Sequence, residues 1–225
     1  SQATATSSSA FGNHACATGL NSTASGYKSC ATGANSSVFG RSSCATGQES
    51  TAIGWSTCAN NLRSTAVGWG TRALQQGASS FGRNAFAQGI YSTAVGFVTY
   101  ANATGSSSFG YYSCATVVDS TAIGRSSCAT GAYSSAFGKT SIASGAQSTA
   151  SGYASCATGA DSSAFGRTAK ATGIYSQAFG SLSCATGNCS VAVGHCLCAT
   201  NSGAVAIGTF VQLTGYFSIA AGYAA

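Results

Sequence analysis

Small and larger side chains alternate along this chain in five-residue runs, and the run restarts every seven residues. One version reads Ser-[Ser/Thr]-Ala-[Phe/Ile/Val]-Gly, as in Ser120-Thr121-Ala122-Ile123-Gly124, or Ser36-Ser37-Val38-Phe39-Gly40 with Val in the Ala place. The other reads Ser-Cys-Ala-Thr-Gly, as in Ser29-Cys30-Ala31-Thr32-Gly33 and Ser127-Cys128-Ala129-Thr130-Gly131. In both, Ser, Ala and Gly take alternate positions. A period of two predicts a β-strand with those three side chains on one face. Gly followed by two variable residues marks the corner where the chain turns. The two versions alternate, so the true repeat has 14 residues, and its register holds from Gly12 to Gly222 without an insertion. A unit that short cannot bury a core alone and must stack on its neighbours. The expectation is an all-β parallel β-solenoid of about sixteen coils, two short strands per coil, running through residues 1–225 as a single continuous repeat domain.

The Ser-Ala-Gly columns are the same in both versions, whereas the other columns differ. Two strands that enclose one interior share its size limit, and two outer faces need not match. This points to a thin roll filled by Ser, Ala and Gly with the larger columns outside. The reverse arrangement would place Phe, Ile, Val and Cys in the core.

On the thin-roll reading one outer face carries Phe11, Phe39, Ile53, Val67, Phe81, Val95, Phe109, Ile123, Phe137, Phe165, Phe179, Val193 and Ile207. A ladder of that kind exceeds the apolar patch a monomer ordinarily exposes. The most economical cover is another copy of the chain. The neighbouring column is Ser beside Phe (Ser37/Phe39, Ser79/Phe81, Ser107/Phe109) and Thr beside Ile or Val (Thr51/Ile53, Thr65/Val67, Thr93/Val95). Bulk traded between adjacent positions is what a packed interface produces.

Composition narrows the picture further. Charged residues are 5%, and the Gly, Ala, Ser and Thr that dominate are too regular for a disordered low-complexity segment. Pro is absent, as expected when almost every residue joins a ladder. The net charge of +6 comes from Lys and Arg scattered along the chain without a basic cluster, which argues against nucleic acid. No apolar run approaches the roughly 20 residues a membrane-spanning helix needs, so this segment is not expected to insert in a bilayer.

The motif Ser-x-Ala-[Ile/Val]-Gly, as in Ser50-Thr51-Ala52-Ile53-Gly54 and Ser64-Thr65-Ala66-Val67-Gly68, resembles the head repeats of YadA-like trimeric autotransporter adhesins over nearly the whole chain. The resemblance implies a left-handed parallel β-roll and a homotrimer. It also implies a surface adhesin that binds extracellular matrix or host glycoproteins. Two features depart from it: the chain holds 11 Cys, and no neck, stalk or anchor pattern is present. Similar heads would also serve a virus or phage fibre.

Cys16, Cys30, Cys44 and Cys58 share one column with Cys114, Cys128, Cys156, Cys184 and Cys198, while Cys189 and Cys196 leave it. Stacked thiols would lie about 4.8 Å apart, near the outer limit for a disulfide. Packed thiols, crosslinks within or between chains, and a thiol array for soft metals are all consistent with the column. No zinc-type spacing is present; Cys196-Leu197-Cys198 beside His195 stands alone. Along the corner after the Phe/Ile/Val strand, Arg41, Arg83, Arg125 and Arg167 recur every 42 residues, as do Tyr27, Trp69, Tyr111 and Tyr153. Duplication of a three-coil unit explains the spacing. An edge of aromatic and Arg side chains also suits carbohydrate or protein contact, and stacking between coils is a third account. Asn21, Asn35, Asn102 and Asn188 sit in N-x-S/T sequons, glycan acceptors only in a eukaryotic secretory pathway.

His14 and His195 lie near opposite ends, and Glu49, Asp119 and Asp161 are too far apart for a carboxylate pair, so neither an enzyme nor a cofactor is expected. A Thr column (Thr18, Thr32, Thr46, Thr116, Thr130, Thr158, Thr172, Thr186, Thr200) raises ice binding as an alternative, but Asn60, Leu74, Gln88 and Asn102 interrupt it. The function expected is therefore an extracellular, self-associating adhesive head or fibre shaft. Its structural variant is a subunit of an end-to-end stacked filament, motivated by periodicity that reaches almost to both ends and would leave bare strand edges there.

Overall fold

A computed structural model describes residues 1–224, and it divides into two compact units, residues 1–112 and 113 onward. Each unit holds eight coils, and each coil holds one two-residue strand and one strand of three or five residues. In the first unit the short strands run from Gln2–Ala3 through Cys16–Ala17 to Tyr100–Ala101, and the longer ones from Ser9–Phe11 to Ser107–Tyr111. The second unit repeats the plan from Cys114–Ala115 to Ile219–Tyr223. Strands of each kind pair in parallel with their equivalents one coil away, at an offset of 14 residues, as in Cys16↔Cys30 and Ala66↔Ser80. Among the described residues there is no helix. The parallel β-solenoid expected from the repeat is the observed fold.

The interior is as thin as the shared columns required. Ala17, Ala31, Ala45 and Ala59 on the short strands and Ala24, Ala52 and Ala66 on the longer ones have no accessible surface, and neither have Ser22, Ser36, Ser50 and Ser64 at the corners. The largest fully buried side chains are Leu197, Val38 and Val211. Phe, Ile, Val and Cys of the other columns stand outside. Methyl groups stabilise such a core by only about 0.8 kcal/mol each, so the continuous backbone ladder carries much of the cohesion. Representative bonds are Cys30 N–H to the Ser43 carbonyl (2.9 Å) and Thr32 N–H to the Ala45 carbonyl (3.0 Å).

The corners fall where Gly and the two variable residues after it were expected, and their backbone adds a detail. The left-handed residue is not confined to the Gly slot; it lies two places later, at every position divisible by seven from Ser7 to Ala224. Non-glycine residues hold most of these places, at φ between 50° and 58° (Asn21 52°, Lys28 53°, Val98 51°). Such a conformation costs an L-residue about 1–2 kcal/mol. Ladder bonds from many of these N–H groups to the coil before offset the cost, as from Lys28 to the Asn13 carbonyl (3.0 Å) and Ser42 to the Tyr27 carbonyl (2.8 Å). In the Ser-Cys-Ala-Thr-Gly version, the Gly is required by crowding rather than by φ. A Cβ added at Gly33 would lie 1.9 Å from the carbonyl oxygen of Gly47 in the next coil.

Candidate functional site

Because the interior is filled and featureless, whatever this chain recognises must be met by its outer columns. Those columns come from the strand residues whose side chains point away from Ala, and from the first two residues of each corner.

The longer strands present the apolar ladder. Phe39 pairs with Ile53, Ile53 with Val67, Val67 with Phe81, Phe81 with Val95 and Val95 with Phe109. In the second unit Ile123 pairs with Phe137, and Phe165, Phe179, Val193 and Ile207 follow one another in register. Ser25 and Ser151 interrupt the two ladders. Phe165 and Phe179 stack at 5.3 Å and 9° between planes. Stacking hides part of each side chain: Phe39 remains 45% exposed and Phe137 37%, while Val67, Val95, Phe109 and Phe179 are half-buried. Phe11, next to the Ser25 gap, is 65% exposed. The Ser/Thr column beside the ladder, Ser37, Thr51, Thr65 and their equivalents, is half-buried and faces the same way.

The corner after each longer strand collects rings and cations. In the first unit, Trp55 stacks on Trp69 (5.0 Å, 15°), and the Arg83 guanidinium lies over Trp69 at 4.3 Å and Phe97 at 5.3 Å. Phe97 stacks on Tyr111 (5.0 Å), whose edge meets Tyr112 (4.5 Å). Arg41 covers Tyr27 at 5.5 Å, and in the second unit Lys139 covers Tyr153 at 5.3 Å. Of the Arg series that recurs every 42 residues, Arg41 and Arg83 each lie beside an aromatic ring of a neighbouring coil. The acids keep to the opposite corner, where Glu49 meets the exposed Arg63 at 2.8 Å, an ion pair of small energetic weight.

On the short-strand face the thiols stand in register: Cys16↔Cys30↔Cys44↔Cys58, Cys114↔Cys128 and Cys184↔Cys198. All of these are half-buried and none is in a disulfide. Burial, followed by the charge of Cys30, pushes the Cys44 thiol up to about 12. Burial and Cys198 push Cys184 up to about 11. In the in-register Cys114–Cys128 pair, the interaction between the two thiols brings Cys128 down to about 7 and raises Cys114. Cys156 lies between Ile142 and Lys170 and has no thiol neighbour in register. Cys189 and Cys196 are corner residues; the Cys196 sulfur reaches His195 Nε2 at 3.5 Å, while Cys198 pairs with Cys184.

The sequons occupy two kinds of place. Asn21 and Asn35 are left-handed corner residues joined by an amide–amide bond of 3.2 Å, and Asn188 Oδ1 accepts from the Ile174 N–H at 3.0 Å. Asn102 is exposed at the end of a short strand, in the Thr column.

One role in the repeat was not read from the pattern. The corner Ser does more than fit a small space: Ser134 Oγ donates to the Gly131 carbonyl at 2.7 Å, and Ser50, Ser148, Ser162 and Ser176 do the same to the Gly three residues earlier. The fixed Gly-x-x-Ser spacing was the available signal.

A solenoid with a sealed interior and long ordered outer columns belongs to the repeat proteins that act through their surface. The YadA head domain repeat matches residues 17–43, 45–71, 73–99, 87–113, 129–155 and 157–183. Those matches span more than half of the chain, which therefore belongs to the YadA head repeat family. No curated protein matches it.

Proposed function

We propose that this chain is a non-catalytic, extracellular adhesive head whose copies associate through the Phe/Ile/Val face, as a trimer. The observation that carries the reading is the in-register apolar ladder, left partly exposed although the interior is closed by Ala and Ser. An apolar face of this length favours a partner that removes it from water. A copy of the same chain offers a ladder of equal pitch. Membership of the YadA head repeat family supports the trimer and the adhesive role. In the assembled head, the aromatic and basic corner, with Arg41, Arg83 and Arg167, would remain outside to meet host or matrix glycoproteins.

Sedimentation equilibrium of the chain and of Phe109→Asp tests this. The expected result is a mass of three chains for the wild type and of one for the variant, because Asp would be buried unpaired against a neighbouring copy. A wild-type mass of one chain, or an unchanged mass in the variant, overturns the reading. Long threads in place of a discrete species would point to the filament instead.

A further inference from the structure

The thiol column has a geometry that suits a ligand other than sulfur. Neighbouring cysteines sit in register on parallel strands, so their Cα–Cβ bonds run side by side and their Cβ atoms are about as far apart as the strands, ~4.8 Å. A disulfide needs Cβ atoms at about 3.5–4.5 Å, closer than this ladder holds them. The ladder bonds that fix the spacing are intact on both sides: Cys16 N–H to Ser29 O, Cys30 to Ser43 O and Cys44 to Thr57 O, each 2.9 Å. Pinching one pair together would strain these bonds.

A metal ion held between two thiolates in a straight line needs the wider separation. With metal–sulfur bonds of roughly 2.3 Å, as for thiolate zinc, the S–metal–S unit spans about 4.6 Å. Sites of three or four ligands are not offered: among the described residues no three of His, Cys, Asp and Glu converge. That disfavours tetrahedral zinc. Paired thiolates without carboxylates select soft ions of the copper(I) kind.

We propose that the column binds soft monovalent ions of the copper(I) and silver(I) class in two-coordinate sites, bridging Cys16 to Cys30, Cys44 to Cys58, Cys114 to Cys128 and Cys184 to Cys198. Each ion replaces two thiol protons: M⁺ and two RSH give [RS–M–SR]⁻ and two H⁺, with no electron transferred. The resulting negative charge has cations beside it, since Arg72 pairs with Cys58 and Lys170 with Cys184. Cys156, Cys189 and Cys196 lack an in-register thiol and serve as built-in controls.

The test is a titration of the fully reduced intact chain with silver(I) in chloride-free buffer against a competing monothiol. Native mass spectrometry counts retained ions, and a pH-stat counts protons. Four ions per chain are expected, with two protons released for each. Cys128→Ser should lose one ion and Cys156→Ser none. The column already accepts Ile142, Lys170 and Arg72, so Ser there should fold; Cys184→Ser provides a second independent loss if Cys128→Ser does not. Three results overturn the proposal: ions bound to all 11 thiols with one proton each, an equal loss in Cys156→Ser, or disulfides joining the in-register pairs in unreduced protein.

Discussion

The Arg83 guanidinium lies 4.3 Å from the centre of the Trp69 ring, one coil away, and its other face meets Phe97. A cation held between two rings joins three successive coils without any contribution from the interior. Ala and Ser columns leave little to gain from core packing, so the corner stacks are where side chains add to the backbone ladder. Arg83→Ala should lower unfolding free energy by about 1 kcal/mol, the size of a partly exposed cation–π contact with its packing. Arg83→Phe should recover much of the loss by continuing the stack. Urea denaturation followed by circular dichroism measures both.

Val98, like Thr140 and Thr168, is a β-branched residue of the left-handed series, and at φ 51° its side chain crowds its own backbone. Val98→Asn keeps the N–H bond to the Arg83 carbonyl (2.9 Å) and relieves that crowding. A gain of about 1 kcal/mol is expected. An unchanged urea midpoint would mean that packing of the half-buried Val98 side chain offsets the strain.

Buried hydroxyls fall into two groups with opposite expected responses. Ser134 Oγ reaches two carbonyls, Gly131 at 2.7 Å and Ala143 at 3.1 Å, and Ser134→Ala should cost about 1 kcal/mol. Thr57 and Thr99 carry buried hydroxyls without a partner. Thr99→Val, which replaces that hydroxyl with a methyl of similar size, should be neutral or stabilising by up to about 1 kcal/mol. Thermal unfolding of the two variants side by side separates the groups.

The thiols impose a pH window. Cys44 and Cys184 are raised in the folded chain from 9.0 to about 12 and about 11, chiefly by burial. A thiol raised on folding contributes stability that is whole below the unfolded value and is lost as pH climbs through the folded one. Unfolding free energy of the metal-free chain should therefore fall between about pH 9 and pH 12, and the fall should shrink in Cys44→Ser. Cys128, held down to about 7, has the opposite sign: its contribution is present above the unfolded value and lost as pH drops toward 7. At neutral pH Cys128 should be alkylated by iodoacetamide faster than Cys44, which peptide mass mapping would detect.

Much of this molecule was legible in its linear order, because each coil repeats the same local problem. The 14-residue register, the strand faces and the thin interior follow from where Ser, Ala and Gly recur. Those columns hold few larger residues, Leu197, Val38 and Val211 being the largest fully buried, because two strands share one narrow space. The Gly47 carbonyl, 1.9 Å from where a Gly33 Cβ would stand, is the same limit seen from the backbone. The outer ladders could also be aligned from sequence, since a fixed repeat brings residue i beside i+14, as Val67 beside Phe81. What only the tertiary structure decided was how the aligned groups meet. The left-handed turn sits at the residue after the corner's first side chain, where the N–H reaches back one coil. Ring faces turned toward each other rather than toward solvent, because coils one strand spacing apart leave flat groups free to stack. The thiols stayed unpaired for the complementary reason: parallel Cβ bonds hold them one strand spacing apart, wider than a disulfide prefers.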